Sequence, residues 1–386
     1  MSSEARGVAW RISAFFAAFF LVPGVHLPFW SVWLESRGLN ATEIAIVMSS
    51  AILLRLVAGP AAAHLVDRSS ARRQAIILLA WGSVAVFTAY WWAEGFWPIF
   101  LLGLLHGILW SPITPLTENI ALLSAARFGV QYGRMRLWGS VSFLVAAYLS
   151  GLWLKGRPDD WILALLFAGT FVMACCSHLL PDIRLPLDRP KLGAPARLLL
   201  RSRLFLAFLG ANACLQATHA MFYTFGTLHW RGAGLSDAQI GFLWAEGVLA
   251  EVILFAAGQR VALKVGGAGL LLLACAGGVL RWGLTGVVED FPALVVLNLL
   301  HAATFGCAHL GAMRLMAEGV DPDVSATAQS LYTAANSAML ALATLAIGPV
   351  FAAIGGLAYV TMLPLSLAGG ACAWLLWRRR NRLRFA

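Results

Sequence analysis

Several ionisable side chains lie inside long apolar stretches, where hydrocarbon residues would be expected. Glu246, Glu251, Arg281 and His301 are four of them, all in the second half of the chain. A charge at bilayer depth costs at least ~2.5–3.5 kcal/mol, so such a residue usually faces a partner or a polar cavity. Histidine and desolvated glutamate are also the side chains that exchange protons near neutral pH. We predict a buried cluster that binds a polar solute through Arg281 and Glu246 and exchanges a proton through these two, His301 and Glu251. Interhelical hydrogen bonding that only fixes the packing is the alternative.

The first half carries a second group with comparable chemistry. Glu118 and Arg136 should face each other across a short turn and form an ion pair, which offsets the cost of placing both in a low dielectric. The pair could hold two helices in register or contact the substrate, and the sequence leaves both open. Arg55 is a further cation within an apolar stretch.

Other polar and aromatic residues in the apolar stretches favour structural interpretations. His26, His106 and His309 are more typical of helix-bridging contacts than of a site. Phe29, Trp30 and Trp33 favour an interfacial belt. A wall that stacks against substrate is the alternative, with Trp30 as its candidate binding residue.

Composition sets the class of protein that must position these groups. Of 386 residues, 60% are hydrophobic and 12% charged, and the mean hydropathy is +0.78. A soluble domain is nearer half apolar and a quarter charged. The sequence therefore predicts an all-α membrane protein. Its formal net charge of +10 does not indicate nucleic-acid binding, because the basic residues lie in alternate short loops, as membrane orientation requires.

Hydrophobic runs predict about twelve transmembrane helices in two six-helix bundles. The predicted domains are residues 1–180, a cytoplasmic linker at 181–202, and residues 203–386. The loop charges place both termini in the cytoplasm. The predicted spans are 9–34, 41–65, 74–92, 96–124, 132–154, 159–180, 203–230, 236–258, 266–286, 291–316, 324–352 and 356–377.

An internal repeat supports the division into two halves. Residues 38–44 (GLNATEI) resemble residues 234–240 (GLSDAQI), an offset of 196, and His106 matches His301 at an offset of 195. At the first offset Arg55 corresponds to Glu251. Transporters with duplicated halves usually carry their site near the bilayer midplane.

The sequence lacks several motifs that are typical of enzymes. No lysine follows a glycine as a phosphate-binding loop needs, and neither His-Glu-x-x-His nor Gly-x-Ser-x-Gly occurs. We therefore expect no enzyme activity, no cofactor and no metal site. The six cysteines fall in apolar spans without zinc-ligand spacing, and we expect them to pack.

Four segments resemble the 3-phenylpropionic acid transporter family of the major facilitator superfamily, a relative of the lactose:proton symporters. They are 27–34 (LPFWSVWL), 132–140 (YGRMRLWGS), 281–283 (RWG) and 300–301 (LH). The resemblance covers nearly the whole chain. It implies two pseudo-symmetric bundles around a central cavity, and alternating access. The superfamily's loop between spans 2 and 3 appears in degraded form at 64–68, which implies a conformational role for Asp67 and Arg68, and with them Arg55.

The resemblance also assigns roles to matched pairs and shows one departure. Glu118 and Arg136 correspond to sugar-contacting residues of lactose-type symporters, and Arg281 and His301 to their proton-coupling cluster. The proton-carrying glutamate of that pattern is replaced by Thr304. Proton coupling would then depend on Glu246, Glu251 or His301.

The function predicted from these observations is proton-coupled import of a small organic solute, with an aromatic carboxylate favoured. A neutral glycoside or nucleoside is the alternative substrate, and a non-transporting membrane solute sensor is the alternative of another class. The expected location is a bacterial-type cytoplasmic (inner) membrane. The expected partners are solute, protons and lipid, with no nucleic acid, and the protein is expected to be a monomer.

Overall fold

A computed structural model describes residues 2–69, 71–183, 194–380 and 385, with the side chains at 57, 59–69, 194–195, 259 and 262 outside that description. Within this part of the chain the regular structure is entirely helical. The α-helices are α1 (Ser3–Ser36), α2 (Ala41–Ser69), α3 (Arg72–Ala89), α4 (Phe96–Trp110), α5 (Ile113–Phe128), α6 (Tyr132–Leu154), α7 (Asp160–Ser177), α8 (Ala194–Arg201), α9 (Arg203–Ala217), α10 (Ala220–Gly232), α11 (Asp237–Val265), α12 (Gly267–Thr285), α13 (Phe291–Asn298), α14 (Ala308–Gly319), α15 (Ser325–Ile354) and α16 (Met362–Arg378).

The helices have the length and apolar composition of membrane spans. Among the described residues, ten helical stretches could cross a bilayer, and the last, Pro322–Arg378, contains both α15 and α16. With the 29-residue α2 this makes twelve spans. The predicted class, an all-α protein with about twelve transmembrane helices, is confirmed.

The chain forms two compact units. The first unit comprises Met1–Asp188 and Gly234–Ala245, and the second comprises Arg189–Ala233 and Glu246–Ala386. In the first unit α1 packs against α6 and α7, over a core that includes Ile12, Phe15 and Ile120. In the second unit α9 packs against α15 and α16, and α12 packs against α16.

The internal repeat marks the start of one helix in each half. Asn40 Oδ1 accepts a bond from the amide of Glu43, whose Oε2 accepts from the amide of Asn40, at 3.0 and 2.9 Å. Ser236 and Gln239 exchange the corresponding bonds at 3.4 and 2.9 Å. These are two reciprocal capping boxes, each satisfying amides that the first helical turn leaves free. The repeated heptapeptide is therefore a helix start signal used twice.

Three of the predicted spans are interrupted. A break at 111–112 separates α4 from α5, where Pro112 lacks the amide needed to continue the helix. A second break, at 218–219, separates α9 from α10 and contains His219. The third lies at 299–300 and is followed by a π-helix, Ala302–Cys307. The span predicted at 291–316 is confirmed as the stretch Phe291–Gly319, although its helix is interrupted.

Two glycines of the first unit bring α6 into close contact with the first turns of α11, which belong to the same unit. A Cβ atom on Gly151 of α6 would lie 2.4 Å from the carbonyl oxygen of Asp237, and one on Gly241 of α11 would lie 2.5 Å from that of Ala147. Only glycine leaves room for this approach, as at the small-residue interfaces typical of membrane helices.

Two predicted conformational residues cannot be placed. The side chains of Asp67 and Arg68 lie outside the described residues, and their role stays a prediction.

Candidate functional site

The polar cluster predicted in the second half lies in the second unit, on α11, α12 and the segment from α13 to the π-helix. Gly247 lets α11 approach this segment: a Cβ atom there would lie 3.0 Å from Asn298 Nδ2 and 3.5 Å from the Cβ of His301. Broken membrane helices and π-turns are common where polar groups must face one another, because they free backbone and side chains from the regular ladder.

Arg281 is the centre of this cluster, with 1% of its surface exposed. Its Nη2 donates to Asn298 Oδ1 at 2.6 Å. Its Nη1 donates to both His301 Nδ1 and Thr304 Oγ1, each at 3.0 Å. The guanidinium carbon also lies 4.6 Å from the ring centre of Phe222. The hydrogen-bond acceptors of this buried cation are thus neutral groups, and a ring face adds electrostatic stabilisation.

The contact between Arg281 and His301 fixes the protonation pattern of the imidazole. A guanidinium only donates hydrogen bonds, so His301 Nδ1 must accept and carries no proton. The remaining proton of a neutral ring then lies on Nε2, which is 3.6 Å from Glu251 Oε2. His301 therefore links a buried cation on one side to a carboxylate on the other.

Thr304 extends the cluster in the opposite direction. The Nδ1 of His219 lies 3.2 Å from the carbonyl oxygen of Gln216, which only accepts, so Nδ1 carries the proton of a neutral ring. Its Nε2 then accepts from the hydroxyl of Thr304 at 3.1 Å. The bonds run in one direction, from Arg281 through Thr304 to His219.

Glu246 adds a carboxylate to the cluster but takes no part in its hydrogen bonds. Both of its carboxylate oxygens are buried and have no hydrogen-bond partner among the described residues. It interacts electrostatically with Arg281. Buried carboxylate oxygens without donors are costly, so Glu246 is a candidate to meet a solute or a proton.

In the first unit, Glu118 and Arg136 form the expected ion pair, with 3.4 Å between Oε1 and Nε. Both side chains remain partly exposed, at 26% and 30%. Tyr132 donates a short hydrogen bond to Glu118, and the guanidinium carbon of Arg136 lies 4.0 Å from the ring centre of Phe20. The acceptor and the cation therefore already have partners.

The aromatic residues at the end of α1 are inside the first unit. Phe29, Trp30 and Trp33 have 0–4% of their surface exposed. Trp30 stacks on Trp33 at 4.8 Å and meets Tyr90 edge-on at 5.1 Å. An interfacial belt needs rings at the lipid-facing surface, so the belt interpretation is wrong for these three residues.

Trp30 instead lines a cavity of about 250 Å³ within the first unit. His26, His106 and Arg55 line the same cavity. The rings of His26 and His106 are 6.3 Å apart, and His106 Nε2 is buried without a hydrogen-bond partner among the described residues. The ring of His106 on α4 contacts His26 of α1 and Phe87 of α3, so the expected helix-bridging role stays a prediction.

His309 packs among aromatic rings, and three residues of the cluster were not predicted as site residues. His309 makes ring contacts to Phe255 and Phe305 at 5.8 and 6.3 Å. His219 was missed, although it lies in an apolar run and the rule that selected His301 applies to it. Asn298 could not have been selected, because uncharged polar residues are common in membrane helices. Thr304 was noted only as the replacement of a glutamate, which does not predict its bonds to Arg281 and His219.

Comparisons with known proteins give one family model and several similar transporters. The MFS_1 like family matches residues 9–362. A protein of Escherichia coli K12 named probable 3-phenylpropionic acid transporter is 32% identical over 90% of this chain and 92% of its own. Maltose permease of Geobacillus stearothermophilus is 27% identical over 84% of this chain and 83% of its own. The crystal structure of nucleoside transporter NupG superposes with a TM-score of 0.81 at 17% identity, covering 96% of this chain and 98% of its own.

Proposed function

The chain belongs to the MFS_1 like family of membrane transporters, and from that premise we propose that it is a proton-coupled symporter importing a small aromatic carboxylate by alternating access. The observation that carries the proposal is the series of contacts from Arg281 through His301 to Glu251 inside the second unit. It contains a titratable ring held between a buried cation and a carboxylate.

The direction of the hydrogen bond between Arg281 and His301 supports proton coupling. A proton that binds His301 at Nδ1 takes the lone pair that Arg281 uses, so two donors would then face each other. The Arg281 contact breaks, and loss of the proton restores it. Glu251 lies next to the Nε2–H group, and its carboxylate stabilises the imidazolium that forms when Nδ1 binds the proton. Energetic coupling of this kind needs one element with two arrangements, and the Arg281 side chain is that element.

Glu246 is the second acidic group available to the mechanism. It interacts electrostatically with Arg281, and no described residue donates a hydrogen bond to its carboxylate. When His301 releases Arg281, Glu246 can receive the cation as an ion pair. Thr304 cannot carry a proton as a carboxylic acid would, so Glu246 and Glu251 take the place of the glutamate expected at 304.

The substrate class rests on the similarity to the protein named probable 3-phenylpropionic acid transporter, together with cationic and aromatic groups in the spans. A carboxylate with an aromatic ring is complementary to guanidinium groups and ring faces. Glu118, Arg136, Trp30, Arg281 and Glu246 are the proposed substrate-contacting residues. The Glu118–Arg136 ion pair gives these two the added role of joining α5 to α6.

The proposed setting is a bacterial cytoplasmic membrane, with a monomer as the transporting species. The excess of basic residues in alternate loops supports cytoplasmic termini.

Uptake into proteoliposomes tests the function. Labelled 3-phenylpropionate should accumulate when the outside is acidic, and a protonophore should abolish accumulation without abolishing exchange of internal for external substrate. Accumulation that ignores the imposed pH gradient would remove the coupling.

A neutral glycoside or nucleoside is the second candidate substrate. The unpartnered oxygens of Glu246 would accept hydrogen bonds from hydroxyl groups, and maltose permease and NupG are among the similar proteins. Competition of maltose or uridine with phenylpropionate for binding distinguishes the two classes.

A further inference from the structure

The first unit contains a cavity in which the mechanism above uses only Trp30. It is lined by residues of α1, α2, α3, α4 and α5 and by Tyr90, and about 250 Å³ of space is available. Small-molecule sites usually measure ~300–1,000 Å³, so this cavity suits a ligand of about one ring with a short polar group. All of its lining residues belong to the first unit.

The walls of the cavity are largely aromatic. Trp30 and Tyr90 meet edge-on at 5.1 Å, and Phe87 lies 4.9 Å from the ring of His106. Trp110 lies 5.4 Å from the same His106 ring. Ring faces and edges at these spacings are favourable neighbours for another aromatic ring.

The polar groups of the cavity are all cationic or neutral donors. Arg55 interacts electrostatically with both His26 and His106. Among the described residues, Arg55 has neither a hydrogen bond nor a carboxylate within ion-pair distance, and the cavity lining contains no acidic residue. The Arg55 side chain is exposed rather than buried, so its guanidinium is accessible to a ligand in the cavity. The Nε2 of His106 is buried and has no hydrogen-bond partner among the described residues, which is costly unless a ligand supplies one.

The other arginines proposed to meet a carboxylate are already engaged. Arg136 pairs with Glu118, and Arg281 donates to Asn298, His301 and Thr304. Of Arg55, Arg136 and Arg281, only Arg55 has no hydrogen bond or ion pair among the described contacts.

The internal repeat points to the same missing group. His301 of the second unit has the carboxylate of Glu251 3.6 Å away. At the matching positions of the first unit, His106 shares its surroundings with Arg55 instead. The second unit therefore supplies its own carboxylate beside this histidine, whereas the first unit supplies a cation.

We infer that this cavity is a binding site for an aromatic monocarboxylate, whose carboxylate binds Arg55 and His106 and whose ring packs among Trp30, Phe87 and Tyr90. The inference rests on the proposed substrate class and assigns its recognition to residues other than Arg136 and Arg281. Arg55 is then a specificity-determining residue for the anion, rather than the gating residue that the sequence predicts.

The test compares a carboxylate with its neutral isostere. Equilibrium binding of 3-phenylpropionate and of 3-phenylpropanamide is measured on the purified full-length protein. The wild type should prefer the carboxylate by about 10- to 100-fold, the range of a charge-assisted hydrogen bond. Arg55→Gln should abolish this preference, and His106→Phe should reduce it while retaining a ring against Phe87 and Trp110.

Matched variants separate recognition from folding. Arg127→Gln removes an exposed arginine of the same unit, at the end of α5, and should keep the full preference. Should Arg55→Gln fail to fold, Arg55→Lys carries the test, since a single-point cation should lower the preference several-fold without abolishing it.

The outcomes are distinguishable from those of the transport assay. A carboxylate preference that survives Arg55→Gln, or that Arg55→Lys leaves unchanged, overturns the inference and leaves the proposed transport intact. A preference that depends on Arg55 in a protein whose uptake ignores the pH gradient keeps the inference and removes the coupling. A wild type without any preference for the carboxylate overturns both this site and the aromatic-carboxylate substrate.

Discussion

Arg281 Nη1 lies 3.0 Å from His301 Nδ1, and only an imidazole without a proton on that nitrogen can accept this bond. The same ring faces Glu251 through its other nitrogen. Whether Arg281 can donate to His301 therefore depends on the protonation of the imidazole. This connects proton binding to side-chain arrangement in the second unit.

Replacing His301 with glutamine should separate transport from its energy source. The amide keeps an acceptor for Arg281 but cannot bind a proton at neutral pH. We expect accumulation driven by a pH gradient to fall by at least about 10-fold, the equivalent of ~1.4 kcal/mol, while exchange of internal for external substrate continues. Both are measured with labelled 3-phenylpropionate in proteoliposomes.

His309→Gln is the matched control for that experiment. His309 lies on α14, directly after the π-helix, and its described contacts are to the rings of Phe255 and Phe305. It should keep gradient-driven accumulation. If His301→Gln also kept it, proton exchange would lie elsewhere.

Thr304→Val should destabilise the second unit. Valine has the same shape but lacks the hydroxyl that accepts from Arg281 and donates to His219. Leaving two buried polar groups without this partner costs about 1–3 kcal/mol. Thermal unfolding of the purified protein in detergent should show a lower midpoint for Thr304→Val and a nearly unchanged one for Thr304→Ser. Equal midpoints for the two variants would show that the hydroxyl bonds contribute little.

The Glu118–Arg136 pair should contribute modestly to stability. Both side chains are about a quarter to a third exposed, so solvent screens the pair and we expect a coupling energy of about 0.2–1 kcal/mol. A double-mutant cycle with Glu118→Gln and Arg136→Gln, followed by reversible unfolding, measures it. A substrate-binding role for the pair would appear separately, as a loss of affinity larger than this coupling energy explains.

Gly241→Ala should lower the unfolding midpoint, because its methyl group would meet the carbonyl oxygen of Ala147 at 2.5 Å and overpacking of this kind costs about 1–3 kcal/mol. Gly133→Ala, on the same helix as Ala147, has open space around its Cβ position and serves as the control. A midpoint for Gly241→Ala equal to that of Gly133→Ala would mean that α6 and α11 can separate without cost.

The class of the protein and the start positions of two helices could be predicted from the sequence. Long apolar runs cross a bilayer for reasons of length and transfer free energy, which are local properties of the chain. The repeated capping boxes at 40–43 and 236–239 are local as well, since each is closed within one helical turn. The rule that charges in apolar spans need partners also selected Arg281, His301 and Glu251 from sequence.

The identity of those partners is decided only by the tertiary structure. Asn298 and Thr304 reach Arg281 because Gly247 and the π-helix set how α11, α12 and α13 approach one another, and no periodicity in the sequence encodes that geometry. Arg55 and His106 lie 51 positions apart in the chain and share a cavity only after α2 packs against α4. Which charge in the spans has a partner depends on distances between helices, and those distances come from packing rather than from the order of residues.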